Sequence, residues 1–351
     1  MHVTGAYDNV ILFTNGAIGD FLMAGLCADS VSNILQKSDI TIITPRNTSL
    51  LRELFSAYPH IKIREVNRRN FLHASTLLAR MAWKKNLVIN QGVFKKIPFF
   101  VWLLARLLVV HPGSVHLHFL QKAPQGKSKK EGVVVFDYHL SVYENLVHLV
   151  RAHGIEISPA VPLYRFVAIT DIFERYGLTR DSYVVIHPCA SSFARSLPAS
   201  RWVNIFQYIT HHFPETKIVV TGSIQDDVFI QTIFNAGVSP DSAVTLAGKL
   251  SMVELANIID GSRGYVGVDT GITHLAGVLQ KRSVVIGNLS NPCWLPFYNK
   301  NATILTERKN CTCDGQKGGN CLYQIGGERY YKCMIDIPEE SIYEGVRKML
   351  V

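Results

Sequence analysis

Short apolar runs that stop at glycine- or hydroxyl-rich turns, each giving way to helical patterning, recur in two series along the chain and leave little choice of architecture. The run Val10 to Thr14 is broken by Gly16 and Gly19, and a helical pattern then extends from Asp20 to about Leu35. Further strand candidates lie at Ile40 to Thr44, Leu87 to Asn90, Val115 to Leu117 and Val133 to Phe136. Between Ser158 and Thr170 the pattern weakens around Pro159 and Pro162, as a connection between domains does. A second series occupies Tyr183 to His187, Ile218 to Thr221, Val244 to Leu246, Tyr265 to Val268 and Ser283 to Ile286, and ends near Pro296. Strands that are apolar throughout are covered on both faces, which calls for parallel sheets with crossover helices. The expected class is therefore α/β, with Rossmann-like domains over residues 1–165 and 166–336. Residues 337–351 follow as a closing helix, with Ile342, Val346 and Leu350 at helical spacing and Glu339 and Glu340 in the first turn, where the helix dipole favours anions. Which domain that helix packs on is not readable from its own residues.

Composition agrees. A chain of 351 residues exceeds what one core usually serves, and 48% hydrophobic against 18% charged residues argues against disorder. The formal charge of +9 favours polyanionic partners, from nucleotides to phosphorylated glycans and lipid head groups. No zinc-finger spacing, basic-aromatic RNA-binding stretch or basic heptad helix is present, so nucleic acid is not expected as a partner. The first residues lack the cationic and apolar regions of a signal peptide, and seven cysteines, an odd number, do not make a complete disulfide framework; the protein is expected in the cytoplasm. The stretch Ile97 to Val110 is nearly all apolar, but it contains Arg106 and falls short of the ~20 residues that span a bilayer. It reads either as a buried helix or as a segment lying in the inner face of the cytoplasmic membrane, with Lys95 and Lys96 among the head groups. Gln125 to Lys130 reads as a basic surface loop.

Three strand-to-helix junctions carry residues suited to chemistry. The segment Tyr265 to Gly277 ends a buried strand at Asp269 and begins a helix just after it. Unpaired backbone N–H groups at such a junction suit a phosphate. Thr270 can add a hydroxyl, Gly271 permits close approach, and His274 follows one helical turn later. The alternative for Asp269 or Thr270 is a simple helix cap, and for His274 a hydrogen-bonded core histidine. At the second junction Ser191 and Ser192 offer hydroxyls and Arg195 a planar fork for phosphate oxygens; an ordinary polar turn is the competing reading. At the first junction of the chain, Asn15 to Asp20 form neither a Walker loop nor a full GxGxxG. Asp20 is either a cap or a general base able to take a proton from an attacking hydroxyl.

The opening ILFTNGAIGDFLMA and the block from Leu246 to Pro296, which contains GYVGVDTGITHLAG, together resemble glycosyltransferase family 9, the heptosyltransferases of lipopolysaccharide core assembly. The resemblance implies the GT-B fold, two Rossmann-like domains with parallel sheets facing a central cleft, with the acceptor held by the first domain and the sugar nucleotide by the second. It implies metal-independent, inverting transfer of a sugar, by default heptose from ADP-heptose, to a lipopolysaccharide core or other cell-surface glycan. By the same resemblance Asp20 is the catalytic carboxylate, Thr270, Gly271 and His274 contact the nucleotide diphosphate, and Asp269 lies near the donor sugar. Ser191, Ser192 and Arg195 join them as donor-binding candidates. Arg195 stands where the family usually has Lys, Leu197 where Trp commonly precedes proline, and the proline usual a few residues after the catalytic Asp is absent.

Cys311, Cys313, Cys321 and Cys333 lie within a Gly-rich stretch outside the Rossmann pattern. Four thiolates can hold structural zinc or iron, although the Cys-x-Cys start is less typical than Cys-x₂-Cys, and reduced structural thiols compete. Two other functional classes fit the same framework: a non-catalytic nucleotide-sugar-binding module, in which Asp20 has no chemical task, and an epimerase or phosphorylase.

Overall fold

The computed structural model describes residues 7–36, 40–66, 76, 79–94, 99–120, 133–239, 241–287, 292–307 and 321–351. The chain divides into two compact units, Met1–Arg165 and Phe166–Val351. The first unit holds a six-stranded parallel sheet of β1 (Asn9–Phe13), β2 (Ile40–Thr44), β3 (Ile61–Glu65), β4 (Asn86–Phe94), β5 (Val115–Leu120) and β6 (Val133–Val135), in the order β3-β2-β1-β4-β5-β6. β1 and β2 are buried at every residue, as continuous apolar strings covered on both faces must be. β3 alternates buried Ile61 and Ile63 with exposed Lys62 and Arg64, the pattern of a sheet edge.

The helix α1 (Ile18–Leu35) directly after β1 is the long apolar element of this unit, and most of its residues are buried. Among the described residues it alone is long and apolar enough to cross a membrane, but 72% of that stretch is buried inside the fold. Gly25 lets the helix approach Phe55 closely: a Cβ there would lie 2.2 Å from the ring of Phe55, which itself meets Phe21 edge-on at 5.2 Å between centroids. The apolar stretch considered for a membrane interface contains the helix Phe99–Leu108. Ala105 and Leu108 are buried in a small core with Ile11 and Val88, while Arg106 and Leu107 are exposed. Gln125 to Lys130 lie outside the described residues.

The second unit repeats the plan with β7 (Tyr183–His187), β8 (Lys217–Val220), β9 (Ala243–Thr245), β10 (Gly264–Val268), β11 (Ser283–Ile286) and β12 (Ala302–Leu305), in the order β12-β11-β10-β7-β8-β9. The sheet therefore extends past Pro296, where the sequence series was expected to stop. Its sixth strand, β12, pairs in parallel with β11. Leu322–Ile325 and Glu328–Tyr331 form an antiparallel hairpin, β13 and β14, closed by Gly326 and Gly327 at φ +59° and +88°. Two consecutive left-handed residues suit a two-residue hairpin turn, and glycine adopts that conformation without steric penalty. The closing helix Glu339–Leu350 packs on β11 and on the helix Ala199–His212, burying Ile342, Val346 and Leu350 completely.

Replacing Gly25 by alanine should force Phe55 out of its place and destabilise the protein by about 1–3 kcal/mol, the usual range for overpacking. Urea denaturation checks it. An unchanged midpoint would mean that the Phe55 ring moves aside without cost.

Candidate nucleotide site in the second unit

In each sheet the strand order reverses once, between β1 and β4 in the first unit and between β7 and β10 in the second. Crossovers leave on opposite faces at such a point, so a crevice opens at the carboxyl ends of the two strands, the usual ligand position of an open α/β sheet. The sequence candidates fall at these two points.

In the second unit the loop after β7 is drawn together by the buried Ser196, whose hydroxyl donates to the Pro188 carbonyl at 2.6 Å. This leaves Ser191 and Ser192 exposed at its crest and starts a 3₁₀ turn, Phe193–Arg195. The Arg195 guanidinium donates from Nη2 to Ser191 Oγ, and its Nη1 lies 3.8 Å from Asp269 Oδ2. Ends of two adjacent strands, 74 residues apart in sequence, thus meet through one cation. Both side chains are partly exposed, at 32% and 15%, so the pair contributes little to stability and remains accessible.

Beyond Asp269 the chain enters the helix Gly271–Val278. Thr270 is its N-cap, its Oγ1 accepting from Ile272 N–H at 3.1 Å. Capping and ligand binding are compatible here: the hydroxyl hydrogen stays available, and the remaining first-turn amides point outward with the positive end of the helix dipole. The helix is held to the strand by Thr273, whose hydroxyl donates to the Val268 carbonyl at 2.5 Å and meets Tyr265 Oη at 2.9 Å. Gly267 makes this arrangement fit, since a Cβ there would lie 2.4 Å from that Tyr265 oxygen.

His274 takes an inward position. Its Nδ1 lies 3.0 Å from Tyr298 Oη, and a backbone group of Trp294 also bonds the ring. Burial pulls its pKa down to about 4, so the ring is neutral at physiological pH. His187, at the end of β7, is in the same condition: it is buried, 3.0 Å from Thr221 Oγ1, and lowered to about 4 by desolvation.

A cavity of about 740 Å³ opens beside this loop, lined by Cys189, Ser191, Ser192, Ser223, Asp226 and Tyr330 among others. One wall comes from the β13–β14 hairpin, which the sequence analysis treated only as a Gly-rich, Cys-bearing stretch. The Gly-Gly pair between two β-prone segments was the signal that could have found it. Asp269, Thr270 and His274 are not in the cavity wall.

In the first unit the structure makes Ala17, not Asp20, the N-cap of α1, so Asp20 sits inside the first turn. Asn15 donates to Asp20 Oδ2 from Nδ2 while its Oδ1 accepts from Ala17 N–H at 2.8 Å, so one side chain fixes both the loop and the carboxylate. Gly16, at φ +79°, turns the chain where a Cβ would lie 2.5 Å from Thr44 Oγ1. Of the four clustered cysteines, Cys321 and the buried Cys333 are described, while Cys311 and Cys313 lie outside the described residues. Among the described residues no group of three or more His, Cys, Asp or Glu side chains is placed to hold a metal ion.

Two doubly wound parallel sheets, one with hydroxyl, guanidinium and amide donors at its reversal point, define a two-unit α/β protein. Residues 163–321 match the model of glycosyltransferase family 9 (heptosyltransferase). Lipopolysaccharide heptosyltransferase 1 of Campylobacter coli is 27% identical over 115 residues, 32% of this chain; the matched part spans only 34% of that relative's length. The glycosyltransferase family 9 structure from Veillonella parvula aligns over 100% of this chain and 99% of its own, with a TM-score of 0.76 at 16% identity. The E. coli ADP-heptose lipopolysaccharide heptosyltransferase II aligns over 97% and 98%, with a TM-score of 0.69 at 16% identity. These likenesses show the GT-B fold.

The two buried histidines set a pH dependence. The unfolded chain protonates them below about pH 6.5 and the folded chain only near pH 4, so the unfolded state holds more protons across that window. Their neutral burial is therefore fully tolerated above pH 6.5, and stability falls as pH drops toward 4, by about 1.4 kcal/mol per pH unit for each histidine. Chemical denaturation at about pH 7, 6 and 5, alongside His274→Gln, should show the variant with the shallower slope. Equal slopes would mean that His274 is not buried neutral.

Proposed function

We propose that the protein transfers a sugar, by default heptose from ADP-heptose, to a glycan or glycolipid acceptor of the cell surface such as the lipopolysaccharide core. The observation that carries this reading is the meeting of Arg195, Asp269 and the Thr270-capped helix end at the reversal point of the second sheet. That set offers a guanidinium fork, a hydroxyl and free amides to a diphosphate, and a carboxylate to the hydroxyls of a donor sugar. The match of residues 163–321 to the model of glycosyltransferase family 9 supports the same reading.

In the proposed reaction the acceptor oxygen attacks the anomeric carbon, the bond from that carbon to the diphosphate oxygen breaks, and configuration inverts. Asp20 takes the proton from the acceptor hydroxyl, with Asn15 holding its carboxylate in place. The leaving diphosphate gains charge as the bond breaks. Arg195, Thr270 and the amides after Gly271 stabilise that charge without reorganising, an effect often worth several kcal/mol. Ser191 and Ser192 bind the nucleotide from the wall of the adjoining cavity. His274 serves the site by holding the first turns of its helix through Tyr298. No metal takes part at the reacting centre in this scheme, and any metal on the cysteine cluster would be structural. The acceptor, with its glycolipid membrane surface, is assigned to the first unit, and the enzyme works on the cytoplasmic side.

Asp20→Ala should lower transfer from ADP-heptose by about 10²–10⁴-fold with ADP affinity unchanged. Arg195→Ala should weaken ADP binding by roughly 10–100-fold, the loss of a hydrogen bond to a charged group. Product analysis by mass spectrometry and calorimetric titration with ADP read these two effects. Wild-type turnover by the Asp20 variant would contradict the assignment of the base.

A further inference from the structure

Two helix ends of the first unit bring apolar and cationic side chains together at a place that the proposed reaction does not use. Residues 79–82 are helical and lead into β4, and the helix Phe99–Leu108 leads into β5. Both cover one face of the sheet: Met81 packs against the small core of Ile11, Val88, Ala105 and Leu108. Their ends meet at the buried Asn86, whose Nδ2 donates to the Met81 carbonyl at 2.8 Å and to the Leu108 carbonyl at 2.7 Å. Last-turn carbonyls lack helical partners, so one amide here serves two helices. The turns that follow are joined as well. Ser114 Oγ donates to the Lys84 carbonyl at 3.2 Å and accepts from Asn86 N–H at 2.8 Å, while a Cβ on Gly113 would lie 3.0 Å from the Lys85 stem. Segments 79–86 and 105–115 therefore form one rim, pinned by Asn86 and Ser114.

On this rim Trp83 is 80% exposed, Val110 52% and Leu107 37%. Single exposed aliphatic side chains are common, but an indole turned to water beside two of them marks an interaction surface. Arg80, Lys84 and Arg106 are exposed around them, and Lys85 reaches back over the Tyr7 ring at 5.1 Å. Neither segment contains Asp or Glu; Asp8 borders the rim and accepts the Lys85 backbone N–H at 2.8 Å. Indole, aliphatic side chains and cations together suit the boundary of a bilayer, where the ring lies among the head groups and the cations meet lipid phosphates. A protein partner suits the rim less well, because lysine is depleted at protein interfaces while an anionic leaflet attracts it. The helix Phe99–Leu108 does not itself lie in the lipid, since Ala105 and Leu108 belong to the core. We infer that the rim of Trp83, Leu107 and Val110, with Arg80, Lys84 and Arg106, docks the first unit on an anionic lipid surface. As the place where the protein meets the membrane of a glycolipid acceptor, the rim rests on the transferase reading. Lipid binding itself does not.

Co-sedimentation of the full chain with vesicles tests the rim, with phosphatidylcholine alone and phosphatidylcholine mixed with phosphatidylglycerol as the probes. The protein should pellet with the mixed vesicles, leave them as salt is raised, and bind the neutral ones far less. Trp83→Ala and Lys84→Gln should each weaken binding to the mixed vesicles roughly fivefold or more, the effect of losing one apolar anchor or one cation. Both side chains are exposed, so neither substitution should move the melting temperature or the affinity for ADP, which separates lost docking from lost folding. Equal binding to the two kinds of vesicle, binding to neither, or variants that bind as the wild type does overturns the proposal. A Trp83-dependent dimer in sedimentation velocity without lipid binding also overturns it, by making the rim a contact between copies of the chain. Trp83-dependent vesicle binding in a protein without transfer activity would support the rim while contradicting the transferase reading, and transfer without vesicle binding would do the reverse.

Discussion

Parallel pairing sets the terms for the rest of this molecule. Every strand of the two main sheets runs the same way as its neighbours, so all strand carboxyl ends and all following helix amino ends gather along one edge of each sheet. That edge is rich in backbone N–H groups that no helix can satisfy internally. The protein supplies some of the missing partners itself, as Thr270 does for Ile272, and leaves others presented to solvent. Where the strand order reverses, those groups line a crevice, and a negatively charged ligand is the natural occupant.

The two units use this shared edge differently. At the β7–β10 reversal a cation, Arg195, lies between a serine hydroxyl and Asp269, which suits a group bearing both phosphate oxygens and sugar hydroxyls. At the β1–β4 reversal the Arg46 guanidinium reaches the loop from outside, its Nε donating to the Asn15 carbonyl at 3.2 Å. Two amide side chains hold the turn that carries Asp20, Asn15 through the carboxylate and Gln91 through the backbone carbonyl.

Much of this fold can be read from the sequence because strands buried on both faces write an uninterrupted apolar string, as in NVILF and YVVIH. The strands that escaped notice are those with another environment. β3 lies at an edge and mixes Lys62 and Arg64 into its pattern, and β12 is a four-residue edge strand of intermediate burial. Thr270 and Asp20 stood out because they follow strands directly. The pairing of Arg195 with Asp269 could not be read, since it exists only once β7 and β10 become neighbours. Asn90 ends the strand candidate Leu87 to Asn90 and Gln91 follows it; their unpaired atoms become visible only when every neighbouring donor and acceptor is in place. His274 shows the converse: spacing put it one turn from Thr270, while packing turned its ring toward Tyr298.

A crystal structure of the protein with ADP would test the central claim most directly. The account predicts the diphosphate over the first turn of the helix Gly271–Val278, with Arg195 released from Asp269 to bond a phosphate oxygen and the nucleoside toward the cavity beside Ser191 and Ser192. ADP bound away from the β7–β10 reversal, with the Arg195–Asp269 pair intact, would contradict it.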